Sequence, residues 1–408
     1  MTETIPATDW TSRLARRTLG QDGVLTGILA LANAQGVINF SGGFPDPELF
    51  PTEQLARITD RLLADHYRVA LQYAPSQGVA STLDAVAGHL QQLDGVRPVP
   101  GGLMMTSGGI DAVTLIAKSM LDPSDVVLVE EPSYLGAVAG FAAFEATMRG
   151  VEMDQDGLNV DAVAQKLVGG LRPKLLYTIP EYQNPSGYSM SAGRRAQLVE
   201  LCRRYQVLIV EDVAYRELGF AGGAAARQPS LWSLAPDNVL QIGTFSKTFF
   251  PGVRLGWAAG PPEVVAQLVI AKQNSDQCAG ALGQRMVEQF IRDGLFGAQL
   301  DRARALYQRR GDATVRALRA HMPPDVTWTE PTGGFFTWLR VPGLDTVTLA
   351  AAARELDVAF VPGAAFFAER VEHEYLRLSF SRVTEPDIDE GMRRLAAVVT
   401  RVRKEART

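Results

Sequence analysis

Four short, largely apolar runs, separated by helical stretches and each closed by polar residues, restrict this chain to few architectures. The runs are Val126–Val129, Lys174–Ile179, Val207–Val210 and Val239–Ile242. They are continuous rather than alternating, so both faces of each strand should be covered. Apolar strands joined by helices, such as the one over 191–205, predict a three-layer α/β fold: a mostly parallel central sheet with helices on both faces. Leu103–Thr106 adds a short strand, and Ser107-Gly108-Gly109 leads from it into a helix over 110–121. In such a sheet the carboxyl ends of the strands share one edge, where open α/β sheets bind ligands.

Polar residues gather at those ends: Tyr134, Asn184, Asp212, Tyr215 and Lys247. Each has an ordinary structural explanation, as a core aromatic, a turn before proline or a helix cap. Their recurrence past successive strands points to a site. Lys247 lies between Ser246 and Thr248, with Thr244 before it and Arg254 beyond. Hydroxyls and one fixed positive charge suit a phosphate. The strand–turn–helix passage at Ser107, Gly108 and Gly109 offers a second anion site, because free backbone N–H groups and the helix dipole favour negative charge. A lysine beside a phosphate site is the arrangement that pyridoxal 5′-phosphate needs.

The 408 residues exceed what one core usually organises, so two domains are expected. The boundaries read as an N-terminal segment 1–45 packing with the small domain, a large cofactor-binding domain 46–294, and a small α+β domain 295–408. Residues 24–34 are weakly helical, 301–320 form an Arg-rich helix with a solvated charged face, and 385–403 a closing helix. Stretches 326–328, 333–339 and 375–380 alternate, which predicts a small sheet with one exposed face. Within the last, Arg377 sits between Leu376 and Leu378. Facing inward it needs an anion such as a substrate α-carboxylate; the alternative is that it faces water. A net charge of −5 argues against nucleic acid as a partner. No run approaches the ~20 apolar residues of a membrane span, and the N-terminus has no signal-peptide pattern. Two cysteines without CxxC spacing suit the cytoplasm, and four scattered histidines give no metal-ligand spacing.

Taken together, these residues resemble the fold-type I pyridoxal-phosphate aminotransferases of class I/II, in the branch of 2-aminoadipate, kynurenine and aromatic aminotransferases. The likeness runs from Phe40-Ser41-Gly42-Gly43-Phe44-Pro45 to Leu378-Ser379-Phe380-Ser381. It rests on Gln72-Tyr73 with Gly78, Ser107-Gly108-Gly109, Pro132-Ser133-Tyr134, Asn184-Pro185-Ser186-Gly187, Glu211-Asp212 with Tyr215, and Ser246-Lys247 with Arg254. The resemblance implies roles. Lys247 would bind the cofactor and shuttle a proton, Asp212 would pair with its ring nitrogen, and Tyr134 would stack on the ring. Asn184 and Tyr215 would hold the ring oxygen. Ser107, Gly108, Gly109, Thr244, Ser246 and Arg254 would hold the phosphate. Tyr73 would reach it from the other subunit of a homodimer. Arg377, Gly43, Asn184 and Tyr73 would surround the substrate.

The implied reaction moves an amino group from an L-2-amino acid to a 2-oxo acid. The alternative is another reaction of the same cofactor: β- or γ-elimination or replacement, cyclisation or oxidation. The same fold ends GntR-type transcription factors, but their DNA-binding segment finds no room here. Thr244 stands where the family commonly has serine, and Val213 where close relatives often have a second acid. Thr26 aligns with an arginine that reads acidic side chains in 2-aminoadipate enzymes. With Leu25 and Phe44 it offers no positive charge, so a large neutral or aromatic substrate is expected.

Overall fold

The computed structural model describes residues 9–18, 36–221 and 228–405. The expected helix over 24–34, with Leu25 and Thr26, lies outside the described residues. The strands run in chain order as β1 (Ile38–Asn39), β2 (Leu103–Thr106), β3 (Val126–Glu131), β4 (Thr147–Asp154), β5 (Gly157–Leu158), β6 (Leu175–Thr178) and β7 (Leu208–Asp212). Then come β8 (Val239–Thr244), β9 (Gly256–Ala259), β10 (Thr327–Trp328), β11 (Phe336–Arg340), β12 (Val358–Ala359), β13 (Val361–Pro362) and β14 (Tyr375–Ser379).

The apolar runs form the middle of an eight-stranded sheet ordered β2-β9-β8-β7-β6-β3-β4-β5. Strands β4, β3, β6, β7 and β8 pair parallel. Strand β9 is antiparallel to both β8 and β2, and β5 closes the other edge antiparallel. Every residue of β2 and β6 is buried. Successive side chains point to opposite faces, so burial of a whole strand means that both faces are covered. Each buried Val, Leu or Ile contributes roughly 1.5–3 kcal/mol relative to exposure, which fixes these runs in the interior. Among the described residues no helix is long and apolar enough to cross a membrane.

A second sheet, β10-β11-β14-β13, is antiparallel throughout. Its expected exposed face is absent: residues 336–339 of β11 and 376–379 of β14 are all buried. Trp338 and Val361 pair with Arg377 and share its face. That face is turned to the first sheet, since Arg377 bonds Asn184. The alternate residues Leu339, Leu376 and Leu378 join the hydrophobic core. The Arg-rich helix spans Leu295–His321, and its charges are not all solvated. Arg310 is buried and pairs with Asp46 at 2.6 Å, which ties this helix to the N-terminal loop. A parallel pairing of β1 with β12 makes a second tie.

Candidate active site

Strand β8 delivers Lys247 three residues past its end. The lysine is half-buried, and its Nζ donates to the Gly43 carbonyl at 2.8 Å. Gly43 has to lack a side chain, because a Cβ there would lie 2.6 Å from Phe336 Cζ. Burial first, then the Arg377 charge, pull the Lys247 amine down to about 8, while Asp212 pulls the other way. An amine of that pKa is a base and a nucleophile near neutral pH, which an exposed lysine is not.

Asp212 ends β7, in the adjoining strand. Its Oδ2 accepts from the Tyr177 hydroxyl at 2.7 Å and its Oδ1 from the Ala214 N–H at 3.1 Å. Burial raises its carboxyl pKa, and these two donors oppose the rise. Tyr177 comes from β6, and sequence reading did not single it out, because a tyrosine inside an apolar strand resembles a core aromatic. Its ring does pack edge-on against Phe141, 5.8 Å away.

Asn184 sits in the turn after β6, which Glu130 of β3 organises. Glu130 accepts from Thr178 Oγ1, from the Ile179 N–H at 3.2 Å and from Gln183 Nε2 at 2.9 Å. Gln183 Oε1 then accepts from the Ser186 N–H at 2.8 Å. Burial pushes the Glu130 carboxyl up to about 7. Tyr215, buried, stands edge-on to Phe335 and Phe336 at 5.4 and 5.6 Å. Tyr134 precedes the helix Leu135–Ala142, and burial pushes its phenol up to about 12. Both phenols therefore stay protonated as donors.

Arg377 enters from the second sheet. Its Nη1 donates to Asn184 Oδ1 at 2.8 Å and its Nη2 to the Ser41 carbonyl at 2.6 Å. The guanidinium carbon lies 4.4 and 5.0 Å from the Phe336 and Phe366 ring centres. Its Nε is buried and has no hydrogen-bond partner. Burial lowers its pKa to about 10.

Thr244, Ser246 and Arg254 meet the Ser107-Gly108-Gly109 turn on the other side of Lys247. The Thr244 hydroxyl donates to Ser246 Oγ at 3.0 Å, and Arg254 Nη2 to the Ser107 carbonyl at 3.2 Å. Gly108 has φ +106°, and a Cβ there would sit 2.8 Å from Arg254 Nη2. The glycine lets the arginine cross the turn. Ser107 differs from the others: its N–H and hydroxyl are already committed to Asp111 and Asp276. Tyr73 is not gathered with these residues. It is 78% exposed and lines a groove with Ala74, Ser76, Gln273, Gln277 and Cys278.

These residues fit pyridoxal phosphate. Asp212 is a buried carboxylate and Arg377 a buried guanidinium, and neither forms an ion pair among the described residues. A buried charge without a direct ion-pair partner is costly, so each is suited to one from a bound molecule. A protonated ring nitrogen answers the first and a carboxylate the second. Among the described residues Arg254 donates to the Pro251 and Ser107 carbonyls alone, which leaves its charge free to face a phosphate.

Known proteins agree. The family described as Aminotransferase class I and II matches residues 35–395. The aromatic-amino-acid aminotransferase 1 of Thermococcus litoralis is 35% identical over 97% of this chain and 95% of its own length. The multiple substrate aminotransferase of Thermococcus profundus superposes with a TM-score of 0.93 at 34% identity, covering 98% of this chain and 100% of that one. The α-aminoadipate aminotransferase of Thermus thermophilus, solved with N-(5′-phosphopyridoxyl)-L-leucine, gives 0.90 at 35% identity over 97% and 100%.

Proposed function

The chain belongs to the class I and II aminotransferases, and on that premise we propose the residue roles, substrate class and assembly that follow. It is a pyridoxal-phosphate-dependent aminotransferase of fold type I, moving an amino group from an amino acid to a 2-oxo acid. When bound, the cofactor supplies an aldehyde that takes up the amino group and a ring that accepts the electron pair left at the substrate α-carbon. Lys247 holds the cofactor and, as a base with a pKa near 8, moves the proton at that carbon. Asp212 keeps the ring nitrogen protonated. Asn184 and Tyr215 hold the ring oxygen, and Tyr134 covers the ring face and excludes water. Gly108, Gly109, Thr244, Ser246 and Arg254 hold the phosphate, with Ser107 shaping the turn. Arg377, with Gly43 and Asn184, receives the α-carboxylate. One observation carries this reading: a buried anion and a buried cation, neither ion-paired, both act on the Lys247 amine.

The side chain of the substrate is large and neutral, or aromatic. Phe336, Phe366 and Trp338 surround Arg377, and Phe44 carries no charge. The relatives named for aromatic and multiple substrates point the same way. Single-turnover analysis over a panel of amino acids tests this. We expect conversion with phenylalanine, tyrosine and leucine, and 2-oxoglutarate as an acceptor. Strict preference for glutamate, 2-aminoadipate or lysine would refute it. Arg377→Ala should lower kcat/KM by roughly 30-fold or more for every amino acid, the consequence of losing a buried charge pair worth about 2–5 kcal/mol. A loss confined to some side chains would place Arg377 elsewhere.

The active unit is a homodimer. Tyr67, Val69, Leu71 and Tyr73 are about half to three-quarters exposed, at 48%, 52%, 63% and 78%. Such a run suits cover by a second copy, with Tyr73 reaching the partner's phosphate site. Sedimentation under assay conditions should give a dimer, and a fully active monomer would contradict it. We assign segment 1–45 to the small domain, 46–294 to the cofactor domain and 295–408 to the small domain. The β1–β12 pairing supports the first, and the left-handed Gly294 before the helix Leu295–His321 supports the last. Two free cysteines favour the cytoplasm.

A further inference from the structure

Lys272 has no part in the chemistry above, yet its side chain is completely buried against the Ser107 turn. It lies in the last turn of the helix Pro262–Gln273. Its Nζ lies 2.7 Å from each of Ser107 Oγ, Asp111 Oδ2 and Asp276 Oδ2. Ser107 completes the ring: its hydroxyl donates to Asp276 at 2.8 Å and its N–H to Asp111 at 2.7 Å. The three ammonium protons are matched by three acceptors, so Lys272 has none left for a ligand. Meanwhile the Ser107 carbonyl accepts from Arg254.

The placement is electrostatically demanding. Asp111 lies in the first turn of the helix Gly109–Met120, the end whose free N–H groups favour an anion. Two carboxylates there would repel a phosphate dianion. With Lys272 the formal charge of the cluster is −1; without it, −2. Arg254 alone would then have to offset both the cluster and the phosphate.

We propose that Lys272 is a positioning residue for the cofactor phosphate, locking the Ser107 turn and offsetting Asp111 and Asp276 without touching the ligand. This rests on the reading of the Ser107–Gly109, Thr244, Ser246 and Arg254 cradle as the phosphate site. The helix ends at Gln273, and the turn that follows it carries Gln277 and Cys278; these three line the groove with Tyr73.

The test titrates apoprotein with pyridoxal 5′-phosphate and, separately, with pyridoxal, which lacks the phosphate. Binding is followed by the visible absorption of the bound aldehyde. Lys272→Met should weaken the phosphorylated ligand by about tenfold or more while changing pyridoxal by less than about threefold, since the lost interaction is with the phosphate charge. Lys272→Met combined with Asp276→Asn should recover most of that loss, because it returns the formal charge to −1. Equal weakening of both ligands would reduce Lys272 to general structural support and overturn the proposal. Arg254→Gln separates the two levels of the argument. If it loses phosphate selectivity and Lys272→Met does not, the role of Lys272 fails alone. If Arg254→Gln is not selective either, the phosphate reading fails and the proposal with it. Should Lys272→Met not fold, Asp276→Asn alone decides. It removes a half-exposed charge, and should tighten pyridoxal 5′-phosphate relative to pyridoxal; weakening would overturn the proposal.

Discussion

Lys247→Ala will lower turnover by at least about 10⁴-fold, the upper range for a positioned general base, and will remove the visible absorption of the bound cofactor. The loss is large because no other amine shares the site among the described residues. Lys272 is locked behind the Ser107 turn by two carboxylates, and burial lowers Arg377 only to about 10, so it keeps its proton near neutral pH. The depressed pKa adds a signed pH dependence. Below about 8 the Lys247 amine is protonated and has no lone pair; above it the neutral form dominates. Recombination of apoprotein with pyridoxal phosphate should therefore accelerate as pH rises through about 8 and then level off. An ordinary lysine would not level until above about 10.4. Stopped-flow absorbance measures this directly. Mapping of the cofactor to a different lysine after borohydride reduction would sink the assignment.

The sheet, and the position of Lys247 just past one of its strands, were legible in the sequence because each rests on a local pattern. Val126–Val129 and Val239–Ile242 are continuous apolar runs, and both became central parallel strands. The stretch 191–205 reads as a helix in the sequence, and the structure has a helix over Ala192–Tyr205. The site residues at strand ends follow from topology: once β7 and β8 are neighbours, Asp212 and Lys247 must share an edge. What stayed hidden depends on contacts between distant segments. Tyr177, Glu130, Gln183 and Lys272 look like core or surface residues in one dimension. Their work is to bond Asp212, the Asn184 turn and Ser107, which lie 35, 49 and 165 positions away or are reached through such contacts. The small sheet was misjudged for a related reason. Alternation in 375–380 promised a wet face, but one face of β14 is turned to the cofactor-binding sheet and Arg377 is buried with it.

Asp212→Ala should cost about 10³-fold in turnover, in the range seen when one preorganised electrostatic partner is removed from a site shielded from water. Cofactor affinity should fall far less, because the phosphate cradle and Lys247 remain. A turnover loss under about tenfold, or about 1.4 kcal/mol, would mean that the ring nitrogen is held by something else. Tyr177 makes the account testable by degrees. Burial raises the Asp212 carboxyl pKa, and the Tyr177 hydroxyl, 2.7 Å from Oδ2, is the main donor that opposes the rise. In Tyr177→Phe that donor is gone, so the carboxyl rises further and is protonated at higher pH. The acid limb of kcat should then shift upward, and turnover at neutral pH should fall by about ten- to a hundredfold, the consequence of a hydrogen bond to a charged group worth about 1.5–3 kcal/mol. A fall with no movement of the acid limb would indicate packing damage around Phe141 instead. The two substitutions should not add. Once Asp212 is alanine, Tyr177 has no carboxylate to hold, and its replacement should cost little more. Additive losses would show that the hydroxyl acts on another group and that Asp212 stays ionised without it.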